Sequence, residues 1–294
     1  MPMRATAFAV LLMIATARGA TPDASPELSL STIRVTAAEV HLTFTVSEEK
    51  NRPVTNLSAS DFVLIRDGSP VEEIALERFH DAPLSLLVLT DVSDSMERSL
   101  PLERTAAEWL TSQADASRDR IAAIDFGKSV ESGRAAKPDD RHLTSLYDSL
   151  METLPRVPRR ESGRRAMIVL TDGFDNDSYH SLRDVILLAQ RQDVAIYAIT
   201  AHPGKKQDYL PQVLQWLCEQ TGGRYYEVSQ AAKMVSAVSE IYNELRNGYE
   251  VVFRPDGEGT GMRRVTIRAV DPHLHFSYRT AYFQPYATRE VATR

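Results

Sequence analysis

Two short stretches of this chain close an apolar run with oxygen-bearing side chains. Asp91-Val92-Ser93-Asp94-Ser95 follows SLLVLT, and Thr171-Asp172-Gly173 follows AMIVL. Between them Thr144 opens the segment TSLYDSL. Asp91, Ser93, Ser95, Thr144 and Asp172 offer two carboxylates and three hydroxyls, with no His or Cys among them. That donor set is hard and all-oxygen, which suits Mg2+, Mn2+ or Ca2+ and not zinc. DVSDS alone has a second reading, because Ser or Asp at a strand end often caps the next helix. Thr144 and Asp172, in order and in strand context, weigh toward the metal.

For five such residues to meet, the elements that carry them must end in one place. SLLVLTD (85–91), IAAIDF (121–126), AMIVLTD (166–172) and VAIYAIT (194–200) are short apolar runs bounded by polar or turn residues, and RYYEV (224–228) follows Gly222-Gly223. Helical patterns lie between and after them: LERTAAEWLTSQA, LTSLYDSLMETL, SLRDVILLAQRQ, YLPQVLQWLCEQ and AAKMVSAVSEIYNELR. Continuous apolar strands alternating with helices predict an α/β fold, a doubly wound and mostly parallel sheet. In such a sheet ligands bind beyond the carboxyl ends of the strands, and all three oxygen-rich stretches fall at that edge. Strand patterns flank this core. HLTFTV, DFVLIRDG with its Asp-Gly turn, and VEEIALERF precede it, and YEVVFRP, RRVTIRAV and LHFSYRTAYF follow it. The division expected is 31–80 for the first β segment, 81–247 for the core, and 248–286 for the second β segment with a tail at 287–294. Each segment is too small to stand alone, so the two are expected to pack as one small β domain.

These residues resemble a known family. DVSDS fits the D-x-S-x-S signature of von Willebrand factor A domains, and Thr144 and Asp172 fall where that family places its remaining ligands. The likeness covers about residues 80–247. More narrowly, RPVTNLSASDFVLIRDG, DAPLSLLVLTDVSDSM, TSLYDSL and VLTDGFDND are similar to the exported bacterial VWFA-related proteins first noticed in acidobacteria, which share the flanking β segments. The resemblance implies a metal-ion-dependent adhesion site holding Mg2+ first, with Mn2+ or Ca2+ as alternatives. Ser93, Ser95 and Thr144 would contact the cation through hydroxyls, and Asp91 and Asp172 directly or through water. A shell of neutral hydroxyls leaves a cation electron-poor, so a carboxylate from a partner protein is the natural sixth ligand. The implied role is protein binding, with no bond broken. The chain departs from the family in having Asp94 where Gly is common, and in carrying Asp175 and Asp177 close behind Asp172. Those two are read as solvated loop charges. The segment from Phe126 to Thr144 is also short for the family.

The remaining features are weighed individually. The formal net charge of −6 provides no basic footprint for nucleic acid. Residues 1–19 read as a signal peptide, with Arg4 ahead of an apolar run from Ala5 to Ala17 that is too short to span a bilayer. Residues 20–30 read as a mobile lead-in. Export to the periplasm or beyond is the expectation, with no transmembrane segment after cleavage. Cys218 is the single cysteine, so no internal disulfide forms, and it reads as a buried small hydrophobe. His273 and His275, alternating on a predicted strand, lack a third metal ligand and read as surface residues. Tyr225 and Tyr226 read as packing. No phosphate loop, nucleophile elbow or His-Glu-x-x-His helix occurs, which argues against an enzyme. A metal-dependent hydrolase remains an alternative, although His142 is the one histidine in the three site loops. A structural envelope protein whose cation only orders loops is the other.

Overall fold

The computed structural model describes residues 32–36, 39–48, 52–127, 130–131, 144–158, 163–201, 211–255, 259–284 and 288–292. The leader at 1–19, the lead-in at 20–30 and His142 lie outside them. The first strands are β1 (Thr32–Thr36), β2 (Val40–Glu48), β3 (Arg52–Pro53), β4 (Phe62–Arg66), β5 (Ser69–Pro70) and β6 (Ile74–Phe79). The alternating region runs through β7 (Leu84–Asp91), α1 (Leu100–Gln113), β8 (Arg120–Phe126), β9 (Val130–Glu131), α2 (Leu146–Thr153) and β10 (Arg164–Leu170). It continues with α3 (Leu182–Gln192), β11 (Ala195–Ala201), α4 (Pro211–Thr221), β12 (Tyr225–Val228) and α5 (Ala231–Arg246). The last strands are β13 (Gly248–Phe253), β14 (Gly261–Ala269), β15 (His275–Tyr278), β16 (Ala281–Gln284) and β17 (Thr288–Ala292). β1 and β17 pair as a two-stranded sheet.

The central sheet has the order β12-β11-β10-β7-β8-β9. Its first five strands are parallel, and only the two-residue β9 runs antiparallel, at the edge beside β8. All eight residues of β7 are buried. Helices cover both faces, so successive side chains enter different cores. Leu86 and Val88 join Leu110, Val238 and Ile241 beneath α1 and α5, whereas Leu87 and Leu89 join Leu150, Val185 and Leu217 beneath α2, α3 and α4. Each buried Leu contributes about 1.5–3 kcal/mol, and both faces of this strand collect that gain. Cys218 lies fully buried in the second core.

Strands from before and after the core pair with each other. β15-β2-β13-β6 forms one antiparallel sheet, with β3 beside β2, and β16-β14-β4-β5 forms the other. Phe44 of β2 stands at their centre, 5.6 Å from the Phe62 ring, 5.7 Å from Tyr249 and 5.7 Å from Phe276. The Asp67-Gly68 turn joins β4 to β5 with φ of 47° and 92°, the left-handed pair that a tight hairpin requires. LHFSYRTAYF is broken at Arg279-Thr280: β15 pairs with β2, while β16 pairs with β14 in the other sheet. His273 and His275 therefore do not share a strand. His273 lies in the turn before β15, and both are exposed.

The crossings between the core and these sheets lie side by side. The Ala82 N–H donates to the Arg246 carbonyl at 2.9 Å. The Arg246 guanidinium bonds Asp81 at 3.1 Å, the Ala82 carbonyl at 3.3 Å and also Asp119. Asp119 in turn accepts the Leu84 N–H at 3.1 Å.

Candidate metal centre

Asp91 ends β7 with its side chain inaccessible to solvent. Its neighbours in register are the ends of β10 and β8, through Thr90 opposite Leu170 and Asp91 opposite Phe126. One carboxylate oxygen accepts the Ser93 N–H at 3.0 Å, and the other accepts the Thr171 hydroxyl at 2.8 Å. Removal from water pushes the Asp91 carboxyl up to about 6, with the Asp172 charge adding to the rise and the bonds from Ser93 and Thr171 opposing it.

The loop after β7 turns at once into a short 3-10 helix, Asp94–Met96, with Ser93 in the N-cap position. The Ser93 side chain makes no capping bond. Its Oγ lies 3.1 Å from the Ser95 Oγ. Oxygens on adjacent corners of an octahedron around Mg2+ stand about 3 Å apart, since each lies about 2.1 Å from the ion. The two hydroxyls are hydrogen-bonded to each other at a spacing that would also fit two ligands of one cation, and the capping reading of DVSDS fails for Ser93. Ser95 is exposed, on the outer side of the pair.

Asp172 follows β10 and is 5% exposed. It accepts the Phe174 N–H at 3.2 Å, and the chain turns outward at Gly173, whose φ of 87° is strained for residues with a Cβ. Thr171 is the buttress between the loops. Its hydroxyl donates to Asp91 and accepts the Gly173 N–H at 3.1 Å, while its carbonyl accepts the Thr200 hydroxyl at 2.8 Å.

Thr144 is buried at the entry to α2. Asn176 holds it from both sides, accepting its N–H at 2.8 Å through Oδ1 and donating its own N–H to the Thr144 carbonyl at 3.0 Å. The next N–H, of Ser145, bonds the Gly127 carbonyl beyond β8 at 2.9 Å. Asp177 is exposed, as expected of a solvated loop charge, whereas Asp175 is half-buried. Asp175 accepts the Tyr147 N–H at 3.3 Å, and Asp177 accepts the Ser145 hydroxyl at 3.4 Å, so both anchor the start of α2. Negative side chains are favoured there by the unpaired N–H groups of the helix terminus.

All five residues singled out from the sequence therefore stand at one carboxyl edge. Asp91, Ser93 and Ser95 are joined directly, Asp172 through Thr171, and Thr144 through Asn176 and the backbone at Gly127. Among the described residues no three His, Cys, Asp or Glu side chains converge enough to hold an ion alone. A cation at this edge must take hydroxyls as well as carboxylates, and those are the donors present. Sequence reasoning missed the roles of Thr171 and Asn176. Thr171 was visible only as the neighbour of Asp172, and Asn176 as one more polar loop residue.

Residues 141–241 match the family model of the von Willebrand factor type A domain. The match includes Thr144 and Asp172 and begins after Asp91, Ser93 and Ser95. No curated protein matches the chain. Among solved structures it is similar to a von Willebrand factor type A protein from Catenulispora acidiphila, with 11% identity over 87% of this chain and 74% of the other, at a TM-score of 0.45. It is also similar to a manganese-loaded TRAP protein of Plasmodium vivax, with 16% identity over 70% of this chain and 96% of the other, at a TM-score of 0.41. About a third of the chain is therefore similar to a von Willebrand factor type A domain, and it lies within an α/β fold extended by antiparallel sheets.

Proposed function

We propose that this protein is a metal-dependent binding module in which Asp91, Ser93, Ser95, Thr144 and Asp172 hold a divalent cation, Mg2+ first, to capture an acidic residue of a partner protein. The observation that carries the reading is the pairing of two buried carboxylates with two adjacent, non-capping hydroxyls at one sheet edge. Asp91 receives only neutral donors, and an anion so placed is costly without positive charge nearby. A bound divalent ion supplies that charge and a Lewis-acidic position able to accept a carboxylate oxygen. The chain's own part is to fix the donors. Thr171 orients Asp91, and Asn176 sets Thr144. Binding of partners in place of catalysis, and membership of the exported VWFA-related group, belong to the same reading. So does delivery to the periplasm or exterior by residues 1–19. No described helix is long and apolar enough to cross a membrane.

Pull-down from an envelope extract with and without EDTA, comparing wild type with Asp91→Ala, tests the proposal. The expected result is a partner captured by wild type, lost with EDTA and lost in the variant, with circular dichroism unchanged. Capture that survives both treatments overturns it. Turnover of a phosphoester or peptide on adding Mg2+ or Mn2+ would favour the hydrolase. A lower melting temperature on cation removal, with capture unchanged, would favour a structural ion.

A further inference from the structure

Glu103 belongs to the first turn of α1, a helix whose sequence LPLERTAAEWLTSQ reads as amphipathic with this residue among its polar positions. It is nevertheless fully buried. Its Oε1 lies 2.7 Å from the Ser99 hydroxyl, and its Oε2 has no hydrogen-bond partner among the described residues. Even Oε1 is poorly served. Ser99 has one hydroxyl proton and a second acceptor, the Met96 carbonyl, at 2.9 Å. A buried carboxyl with one orphaned oxygen is destabilising wherever it serves the fold alone.

Its surroundings give it another use. Ser99 follows closely on the loop that carries Ser93 and Ser95, and Glu103 is hydrogen-bonded to it. The charges of Asp91 and Asp172 both reach it, adding to the burial that pushes its carboxyl up to about 8. Arg104 opposes this weakly, its guanidinium being paired with Asp125 at 2.6 Å. Glu103 is not a third direct ligand, because among the described residues no three such groups converge.

We propose that Glu103 is a positioning residue of the cation centre, a buried carboxyl anchored at the start of the helix that follows the Asp91–Ser95 loop, which strengthens the hold on a divalent cation without touching it. The inference rests on the metal reading above. Its negative charge, in a low-dielectric setting, favours a dication over an empty site, and its orphaned oxygen is suited to accept from a water or hydroxyl on the ion.

The test is calorimetric titration of Mn2+ and Mg2+ into cation-depleted wild type, Glu103→Gln and Glu103→Met, together with thermal melts of the same depleted proteins at pH 8. Both variants are expected to bind Mn2+ about tenfold or more weakly. Both should also melt higher than wild type when depleted, because they remove the buried charge. A purely structural residue would give lower melts and unchanged affinity. Equal affinity in wild type and both variants overturns this inference alone, as does a lower depleted melt in both. A wild type that takes up neither ion overturns the metal reading and this inference with it.

Discussion

Asp91 has both carboxylate oxygens occupied by neutral donors, and burial still holds its proton affinity high, at about 6 against an ordinary 3.8. A carboxyl raised in the folded state contributes its full stability below the unfolded value and loses it as pH climbs through the folded one. The cation-free protein should therefore lose about 3 kcal/mol from this group between pH 4 and pH 6. Glu103 extends the decline from 4.5 toward 8. Asp91→Asn should flatten the lower part of that curve and raise the melting temperature of the depleted protein at pH 7, while abolishing Mn2+ uptake. Melts from pH 4 to 8 with EDTA, and again with Mn2+, check both halves. The grouping of Asp91, Ser93 and Ser95 was legible because a strand ending in Asp-x-Ser-x-Ser is a local pattern. Glu103 was not, since only the packing of α1 against the central sheet distinguishes a buried carboxyl from a solvated one on the same helix.

At the scale of elements, the placement of Asp91, Thr144 and Asp172 depends on how three loops are laced together. Thr144 is fixed less by its own helix than by Asn176, an exposed residue from the loop after β10. Asn176→Ala should cost about 1 kcal/mol of stability, the ordinary loss for such a bond. Its larger effect should be on Mn2+ affinity, because the Thr144 hydroxyl loses its placement. Urea denaturation beside a Mn2+ titration separates the two, and unchanged affinity would show that Thr144 is positioned without it. The parallel strands and their helices followed from continuous apolar runs of the right length. The contact of Asp175 did not, because a loop aspartate that caps a distant helix has the same local sequence as one facing water.

Across the whole molecule, Arg246 ties the end of α5 to both Asp81 and Asp119 and stacks over the Tyr242 ring at 4.6 Å. Asp119 is 3% exposed, so Arg246→Ala strands a buried charge and should cost about 3 kcal/mol or more. A fall in the urea midpoint with little change in Mn2+ affinity is the expected signature, since the clasp sits at the opposite ends of the strands from Asp91 and Asp172. The interleaving of the flanking strands across the core was legible only as an argument from size. Which strand meets which depends on register, and alternating patterns such as HLTFTV and RRVTIRAV fit many partners.

The crossings at Ala82 and Arg246 are a single hydrogen bond apart. Everything from β7 to α5 is thus a closed excursion from the antiparallel sheets, leaving and returning at neighbouring points. A change in the length of any loop along that excursion leaves its two ends where they are, so strands β2 and β13 keep the same partners.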